Sequence, residues 1–166
     1  MVTIHLAVTV PVNAPGASLV LSQVQVFAGF QRKIRQPQEF APAIAKAEVL
    51  SDVGGVVKRR VTFKAPSAPD TGGHPAEVLE TCTELAPSRV DYELDNGSTV
   101  LNIVSTGTSG KPEDLYVTYV FAWKHADLEA GSMAAREVQT SHEKIAKVVV
   151  ESSIATTRRL VSEGKI

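Results

Sequence analysis

Residues 132–162 read SMAAREVQTSHEKIAKVVVESSIATTRRLVS, a stretch that contains neither proline nor glycine. Ser132 can cap the N-terminus of a helix, and Gly164 is a natural stop signal just beyond its end. Residues recur at three- and four-residue steps in the order Val138, His142, Ile145, Val149, Ser152 and Thr156. The stretch therefore predicts one helix of about 30 residues and about 45 Å, with that stripe facing the core.

The sequence upstream of this helix alternates between apolar and polar residues, as half-buried strands do. Residues 2–12 alternate in this way, and residues 115–123 carry the most apolar strand face. Further strands are predicted at 44–50, 57–63, 77–85, 89–94 and 98–105. Residues 52–55 (DVGG) and 95–97 (DNG) are hairpin turn sequences, which indicates that consecutive strands pair antiparallel.

Two short helices are predicted after the first strand. Ser22 can cap the first of them. Its apolar positions follow at helical spacing: Val26, Phe27, Phe30 and Ile34. Pro37 marks a break, and residues 38–44 are predicted to form a second short helical turn. Residues 65–75, which are rich in proline and glycine, are predicted to be a loop.

The element order is a strand, two short helices, six strands and a long helix, which predicts an α+β fold. Short hairpins favour one curved, seven-stranded antiparallel sheet, and one face of that sheet must be covered. The C-terminal helix is the one predicted element large enough to cover it. We therefore expect residues 1–166 to form a single domain.

Composition places the chain among globular proteins, with 43% hydrophobic and 21% charged residues and a formal net charge of −1. The nearest approach to a basic stripe is residues 58–60 (KRR), which lie on a strand, so nucleic acid is not expected as a partner. No stretch is apolar over the roughly 18 residues that a membrane span needs. The N-terminus has no signal-peptide pattern, so we expect a cytoplasmic protein.

The sequence also lacks the motifs of metal sites and of activated nucleophiles. Cys82 is the one cysteine, and the four histidines lie too far apart in sequence for a zinc-site spacing. Neither a Gly-rich phosphate loop after a strand nor a G-x-S-x-G elbow occurs. We therefore expect no metal and no other cofactor, and Cys82 is predicted to be a small buried hydrophobe.

Four segments carry a resemblance to a known family. They are the opening strand up to residues 10–13 (VPVN), residues 57–63 (VKRRVTF), residues 115–123 (LYVTYVFAW) and residues 153–166 (SIATTRRLVSEGKI). On these segments the chain resembles a fungal and bacterial family of unknown function that includes AtaL. That family lies within the birch-pollen-allergen-like superfamily, also called START-like or SRPBCC. The resemblance implies a helix-grip fold, in which a seven-stranded sheet wraps around a long C-terminal helix.

The resemblance also implies a cavity between the sheet and the helix. Members of the superfamily bind lipids, hormones, polyketides and other secondary metabolites, and some are cyclases or isomerases while others only carry ligands. Because enzymes and ligand carriers share this fold, the fold alone does not distinguish an enzyme from a carrier. The first hypothesis is a protein that binds a small apolar or aromatic metabolite and promotes its cyclisation or isomerisation. The alternative is a non-catalytic carrier of such a molecule, and a third is a structural role with a filled core. The oligomeric state is left open.

Arg59 is the most informative polar residue. It alternates with Val57 and Val61, which places it on the apolar side of its strand. Burying a guanidinium costs several kcal/mol unless it is paired and hydrogen-bonded. Arg59 therefore either anchors a ligand carboxylate, enolate or phenolate, or forms an internal ion pair with Glu80 or Glu84. A strand register slipped by one residue would instead turn it outward.

Glu80 and His142 are the candidates for proton transfer. Glu80 shares the strand phase of Val78 and Cys82, where a desolvated carboxyl could act as an acid or a base. The opposite phase, that of Leu79, is equally consistent with the sequence. His142 lies on the stripe of the long helix, where it is either a general acid–base or a satisfied structural group. Enzymatic activity is therefore left open.

The remaining candidates would line the cavity. Asn102 could orient a ligand if its strand phase faces inward, although Leu101 and Ile103 contest that phase. The other predicted lining residues are apolar or aromatic: Phe63, Tyr119, Phe121, Trp123, Ile145 and Val149. Such residues can serve as core and as cavity wall at once.

Overall fold

The computed structural model describes residues 1–64 and 77–166, so the loop predicted at 65–75 lies outside the described residues. The strands are β1 Val2–Pro11, β2 Ile44–Val53, β3 Val56–Phe63, β4 Glu77–Leu85, β5 Arg89–Leu94, β6 Thr99–Thr106 and β7 Leu115–His125. The helices are α1 Gln23–Arg35, the 3-10 turn Pro37–Glu39 and α2 Met133–Ser162.

The seven strands form one sheet in the order β1-β7-β6-β5-β4-β3-β2, and each neighbouring pair is antiparallel. Helix α2 packs against β1 and β7 and against α1. The expected α+β helix-grip architecture is therefore confirmed. Within residues 1–64 and 77–166, neither helix has the length and apolarity that crossing a membrane requires.

The second predicted helix is shorter than expected. It is the single 3-10 turn Pro37–Glu39, and Ile44 already belongs to β2. The carbonyl of Ala43 accepts a hydrogen bond of 2.8 Å from the N–H of Lys64, at the end of the β2–β3 pairing. Pro42 has no N–H to continue a helix. The chain therefore enters the sheet where the sequence pattern predicted helix.

The predicted stripe of α2 is only partly right, because the fully buried face is rotated away from it. The buried residues of α2 are Ala135, His142, Ala146, Val150, Ser153, Ile154, Thr157 and Leu160. Of the predicted stripe, only His142 is fully buried, and the other members are half-buried. Small side chains such as Ala146 and Ser153 let α2 approach its neighbours closely. The larger Ile145 and Val149 lie beside that contact.

Two polar contacts fix α2 to the segment between β1 and α1. The Arg158 guanidinium donates to the carbonyl of Leu19 at 2.9 Å and to that of Val12 at 2.6 Å. At its other end this segment leads into α1, where Ser22 and Gln25 form a capping box. The start of α1 is thus set both by its own cap and by α2.

The crossing of α1 and α2 depends on Gly29. This residue is buried, and a methyl group added to it would lie 2.7 Å from Cγ2 of Thr157 and closer still to its hydroxyl oxygen. Thr157 is itself buried and donates a hydrogen bond of 2.9 Å to the carbonyl of Ser153, so it has little room to move. The absence of a side chain at Gly29 therefore sets how closely the two helices pack.

We expect Gly29→Ala to lower the free energy of unfolding by about 1–3 kcal/mol, because overpacking outweighs the helix-propensity gain of about 1 kcal/mol. In a Thr157→Ala background the same substitution should be neutral or stabilising, because the clashing atoms are gone. Urea unfolding of the four proteins in this double-mutant cycle measures both effects. An equal cost in both backgrounds would show that the helix crossing does not depend on this contact.

Candidate functional site

A cavity of about 170 Å³ lies between the inner face of the sheet, the end of α1 and the face of α2. Its wall is formed by Lys33, Ala41, Ala43, Ile44, Arg59, Phe63, Glu80, Tyr92, Leu94, Val100, Asn102, Tyr119, Phe121, Trp123, Ile145 and Val149. The third hypothesis required a filled core, and this space is instead open. Within the sheet, α2 packs mainly against β1 and β7, and the cavity lies beside that contact, between α2 and the strands beyond β7.

The structure brings together most of the predicted site residues. All of the predicted lining residues belong to the wall, namely Phe63, Asn102, Tyr119, Phe121, Trp123, Ile145 and Val149. The two contested strand phases are now fixed, because Val78 and Cys82 are buried on β4 and Asn102 and Val104 are buried on β6. Glu80 and Asn102 therefore face the cavity, whose wall also includes Arg59.

Arg59 is only 4% exposed, and most of its donors are already used. Its Nε donates to Glu80 at 2.7 Å, and its Nη2 forms an ion pair with the same carboxylate. Its Nη1 donates to the carbonyls of Lys33 and Ile34. Burial is the strongest single influence and opposes the charged form, but the charge and hydrogen bond of Glu80, together with smaller contributions from other neighbours, outweigh it and raise the pKa of Arg59. Of the two interpretations from sequence, the internal ion pair with Glu80 is the one that the structure contains.

The Arg59 contacts have a structural consequence at the end of α1. The carbonyls of Lys33 and Ile34 belong to the last turn of that helix, where carbonyls lack intrahelical partners. Arg59 satisfies them from β3 and so holds the end of α1 against the sheet. Its role as a ligand anchor remains a prediction, and the geometry makes Arg59 first of all a positioning residue.

Lys33 is a charged residue of the wall that the sequence analysis missed, as it also missed the phenol of Tyr92. Its Nζ donates to the hydroxyl of Tyr119 at 3.2 Å and lies 4.4 Å from the centroid of that ring. Part of the side chain remains accessible, yet the ammonium group is surrounded by enough protein that desolvation, together with the charge of Arg59, lowers the pKa of Lys33 to about 7. A signal was present, because Lys33 continues the buried spacing of Val26 and Phe30 on one face of α1.

Asn102 and two phenols complete the polar end of the cavity. Asn102 is fully buried, and its Nδ2 donates to the hydroxyl of Tyr92 at 3.3 Å. Among the described residues, no donor reaches its Oδ1. Burial raises the pKa of Tyr92 and that of Tyr119, so both phenols stay protonated at neutral pH. This end of the wall therefore offers an ammonium group, a free amide acceptor and two hydroxyl groups.

His142 does not belong to the wall formed by the described residues. It is 2% exposed, its ring lies 4.1 Å from that of Trp123 between centroids with the planes tilted by 33°, and its Nε2 lies 3.0 Å from Nε2 of His125. One of these two nitrogens must donate to the other, so the pair joins α2 to β7. The proton-transfer role of His142 remains a prediction, and any such effect would reach the cavity through Trp123.

Cys82 is buried on β4, as predicted, and burial raises the pKa of its thiol to about 12. At neutral pH it is therefore a protonated, inert group rather than a nucleophile. Over residues 1–64 and 77–166, no cluster of three or more His, Cys, Asp or Glu side chains is arranged to hold a metal ion.

Structures of other proteins share this helix-grip fold. The Zhui aromatase/cyclase from Streptomyces sp. R1128 matches with a TM-score of 0.63 and 16% identity over 96% of each chain. The di-domain ARO/CYC StfQ of the steffimycin biosynthetic pathway matches with a TM-score of 0.67 and 9% identity over 97% of this chain, which spans about half (52%) of the StfQ chain. Ara h 8.0201 matches with a TM-score of 0.54 and 14% identity over 92% of this chain and 97% of its own. At such identities, the likeness is one of fold alone.

The family is established from sequence. The family model described as "Acetylaranotin biosynthesis cluster protein L" matches residues 6–164, and the chain belongs to that family. The protein of that name from Aspergillus terreus (strain NIH 2624 / FGSC A1156) is 26% identical over 164 residues, which covers 98% of this chain and 92% of the relative. The resemblance inferred from the four segments is thereby confirmed.

Breaking the buried ion pair should be costly. We expect Arg59→Met or Glu80→Gln to lower the free energy of unfolding by about 3–5 kcal/mol, because each leaves buried polar groups without partners. The matched control is the pair Arg60–Glu48, which joins the same strand to β2 and has side chains 41% and 50% exposed. Arg60→Met should cost no more than about 1 kcal/mol. Equal costs for Arg59 and Arg60 in urea unfolding would contradict this account.

The desolvated Lys33 should give stability a distinct pH dependence. Its pKa falls from 10.5 to about 7 on folding, so between these values the unfolded chain binds more protons and stability rises with pH. Lys33→Met should therefore stabilise the protein most near pH 6.5. That gain should shrink by up to about 1.4 kcal/mol per pH unit toward pH 10.

The measurement for Lys33 is urea unfolding at several pH values, read as the difference between variant and wild type. Lys58→Met is the control, because Lys58 is exposed on β3. Its difference curve should be flat. A flat curve for Lys33→Met as well would mean that the Lys33 ammonium is not desolvated.

Proposed function

We propose that the protein binds a small apolar or aromatic metabolite in this cavity and promotes its cyclisation or isomerisation in secondary metabolism. The observation that carries the proposal is the composition of the wall, which is apolar and aromatic over most of its area and polar at one end. Binding sites for small molecules have this composition, because apolar surface supplies affinity and a few polar groups fix orientation.

The aromatic part of the wall suits a flat ligand. The rings of Phe121 and Trp123 stack with centroids 4.4 Å apart, and the Phe121 ring meets that of Tyr119 edge to face at 6.2 Å. Opposite them, Ile145 and Val149 of α2 present aliphatic side chains. A ring system held between these surfaces would direct its polar substituents toward Lys33 and Asn102.

The polar end supports acid–base chemistry. A lysine with a pKa of about 7 is partly neutral at physiological pH, so its amine can accept a proton from an enolisable carbon or a hydroxyl group of the ligand. The resulting ammonium would then stabilise the oxyanion it has created. Glu80 and Arg59 would keep the end of α1, and hence Lys33, in place while the charge moves.

The comparisons favour a role in secondary metabolism. Two of the matching structures belong to an aromatase/cyclase and an ARO/CYC protein, and the related Aspergillus protein carries the name of a biosynthesis cluster. The distant structures share the fold but not the sequence, so they do not determine the reaction. The cytoplasmic location remains a prediction.

One observation favours the second candidate, a carrier without turnover. The Arg59 and Glu80 charges are satisfied by each other and by backbone carbonyls, which leaves Lys33 as the one charged group of the described wall outside an ion pair. A carrier needs only an apolar wall and one or two orienting groups. Prolonged incubation with a bound metabolite distinguishes the two: an altered mass or isomer pattern supports catalysis, and an unchanged molecule supports the carrier.

Binding itself is tested by filling the cavity from α2. Val149→Trp should place an indole in the space between helix and sheet and abolish ligand binding. Val148→Trp is the matched control, because Val148 is the preceding residue and is 62% exposed. Native mass spectrometry of freshly purified proteins should find a small molecule on wild type and on Val148→Trp but none on Val149→Trp. Equal occupancy in all three would place the ligand outside the cavity and contradict the proposal.

A further inference from the structure

We propose that the ligand of this cavity carries an acidic oxygen, as a carboxylate, enolate or phenolate on an apolar or aromatic body, and that Lys33 binds it with proton uptake above neutral pH. This inference rests on the proposed function and specifies the chemical class of the ligand. It assigns anion binding to Lys33, whereas the sequence pattern pointed to Arg59.

The first step is the charge balance of the polar end. Arg59 and Glu80 form a buried pair whose charges cancel. No carboxylate among the described residues forms an ion pair with Lys33, whose polar contact is the neutral hydroxyl of Tyr119. When Lys33 is protonated, this end of the cavity therefore carries one uncompensated positive charge. An anionic oxygen on the ligand would compensate it.

The second step asks which titratable groups face Lys33 from the elements that pack around it. Arg59 on β3 disfavours the charge of Lys33, Glu80 on β4 favours it more weakly, and Tyr119 faces it from β7. The thiol of Cys82 on β4 is protonated and brings no charge. Helix α2 contributes only Ile145 and Val149 to the described wall. None of these groups supplies a free negative charge, so the counter-ion has to come from the ligand.

The third step is the hydrogen-bond pattern near the anion. The phenols of Tyr92 and Tyr119 stay protonated, and Asn102 Oδ1 is a buried acceptor with no donor from the described residues. This set suits a ligand with an anionic oxygen at Lys33 and a hydroxyl or N–H group that donates to Asn102. A hydroxylated aromatic acid and the enolate of a hydroxylated ketone both present these groups.

The coupling to protons follows from the pKa of Lys33, which is about 7 in the free protein. Below that pH the ammonium is already present and anion binding needs no proton. Above it the amine is neutral, so an anion binds only if Lys33 takes up a proton, and affinity falls as pH rises. The fall continues until the pH exceeds the pKa of Lys33 in the complex.

The experiment compares an aromatic anion with its neutral isostere, using 2-naphthoate and 2-naphthamide, with benzoate and benzamide as a smaller pair. Isothermal titration calorimetry at pH 6.5 should show the carboxylate binding about tenfold or more tightly than the amide, as expected for a charged hydrogen bond. This preference should disappear by pH 9. Because a tenfold preference corresponds to a rise of about one unit in the pKa of Lys33, calorimetry at pH 7.5 in two buffers of different ionisation enthalpy should give an uptake of about half a proton per carboxylate bound.

Three variants assign the effect to Lys33. Lys33→Met should remove the preference at every pH, and it should still fold because it replaces a desolvated cation with an apolar chain. Lys33→Arg should retain the preference at pH 9, because its charge does not titrate in this range. Lys58→Met, on the exposed side of β3, should behave as wild type.

The outcomes separate the two proposals. Tighter, proton-coupled binding of the carboxylate that depends on Lys33 supports the inference. Equal affinity for carboxylate and amide at both pH values would overturn the inference while leaving the cavity as a binding site for aromatic molecules. No binding of any of the four compounds would overturn the proposed function, and with it the inference.

Discussion

The buried contact of Arg59 with Glu80 and with the last carbonyls of α1 is the interaction on which the site depends. It joins β3, β4 and α1 at one point, and it satisfies charges and carbonyls that would otherwise be costly to bury. Because α1 ends there, Lys33 is held at the cavity and in reach of Tyr119. A guanidinium suits this task, since its fork can serve a carboxylate and two carbonyls simultaneously.

The same geometry explains why the cavity is polar at one end only. Helix α2 closes on β1 and β7, assisted by the small residues of its buried face and by Gly29 of α1. Farther along the sheet the helix stands off, and the aromatic side chains of β7 line the space. The desolvated amine of Lys33 is a reactive group in these surroundings, because no carboxylate of the described residues forms an ion pair with its protonated form. The fold thereby combines an apolar binding surface with a group that can change its charge near neutral pH.

Much of this could be predicted from sequence. The uninterrupted stretch before Ser162 and the alternation of the strands were sufficient for the fold, and strand phase placed Arg59 inward. Other features could not be predicted. For β4 and β6, either set of alternating residues could face inward, and only pairing across the sheet decides which set does. Lys33 was missed because a lysine on a short amphipathic helix is usually solvated, although its helical spacing from Val26 and Phe30 placed it on the buried face of α1. The buried face of α2 was predicted at the wrong positions because small residues such as Ala146 and Ser153 form its close contact with the neighbouring elements.

The central claim is that a small aromatic molecule occupies the space between the sheet and α2. The most direct measurement is a titration of isotope-labelled protein with 2-naphthoate, followed by NMR of methyl groups and of the Trp123 indole. The account predicts saturable shifts of the Ile145 and Val149 methyl signals and of Trp123, with little change at exposed Val148. Shifts confined to the outer surface, or none at saturating concentration, would contradict it.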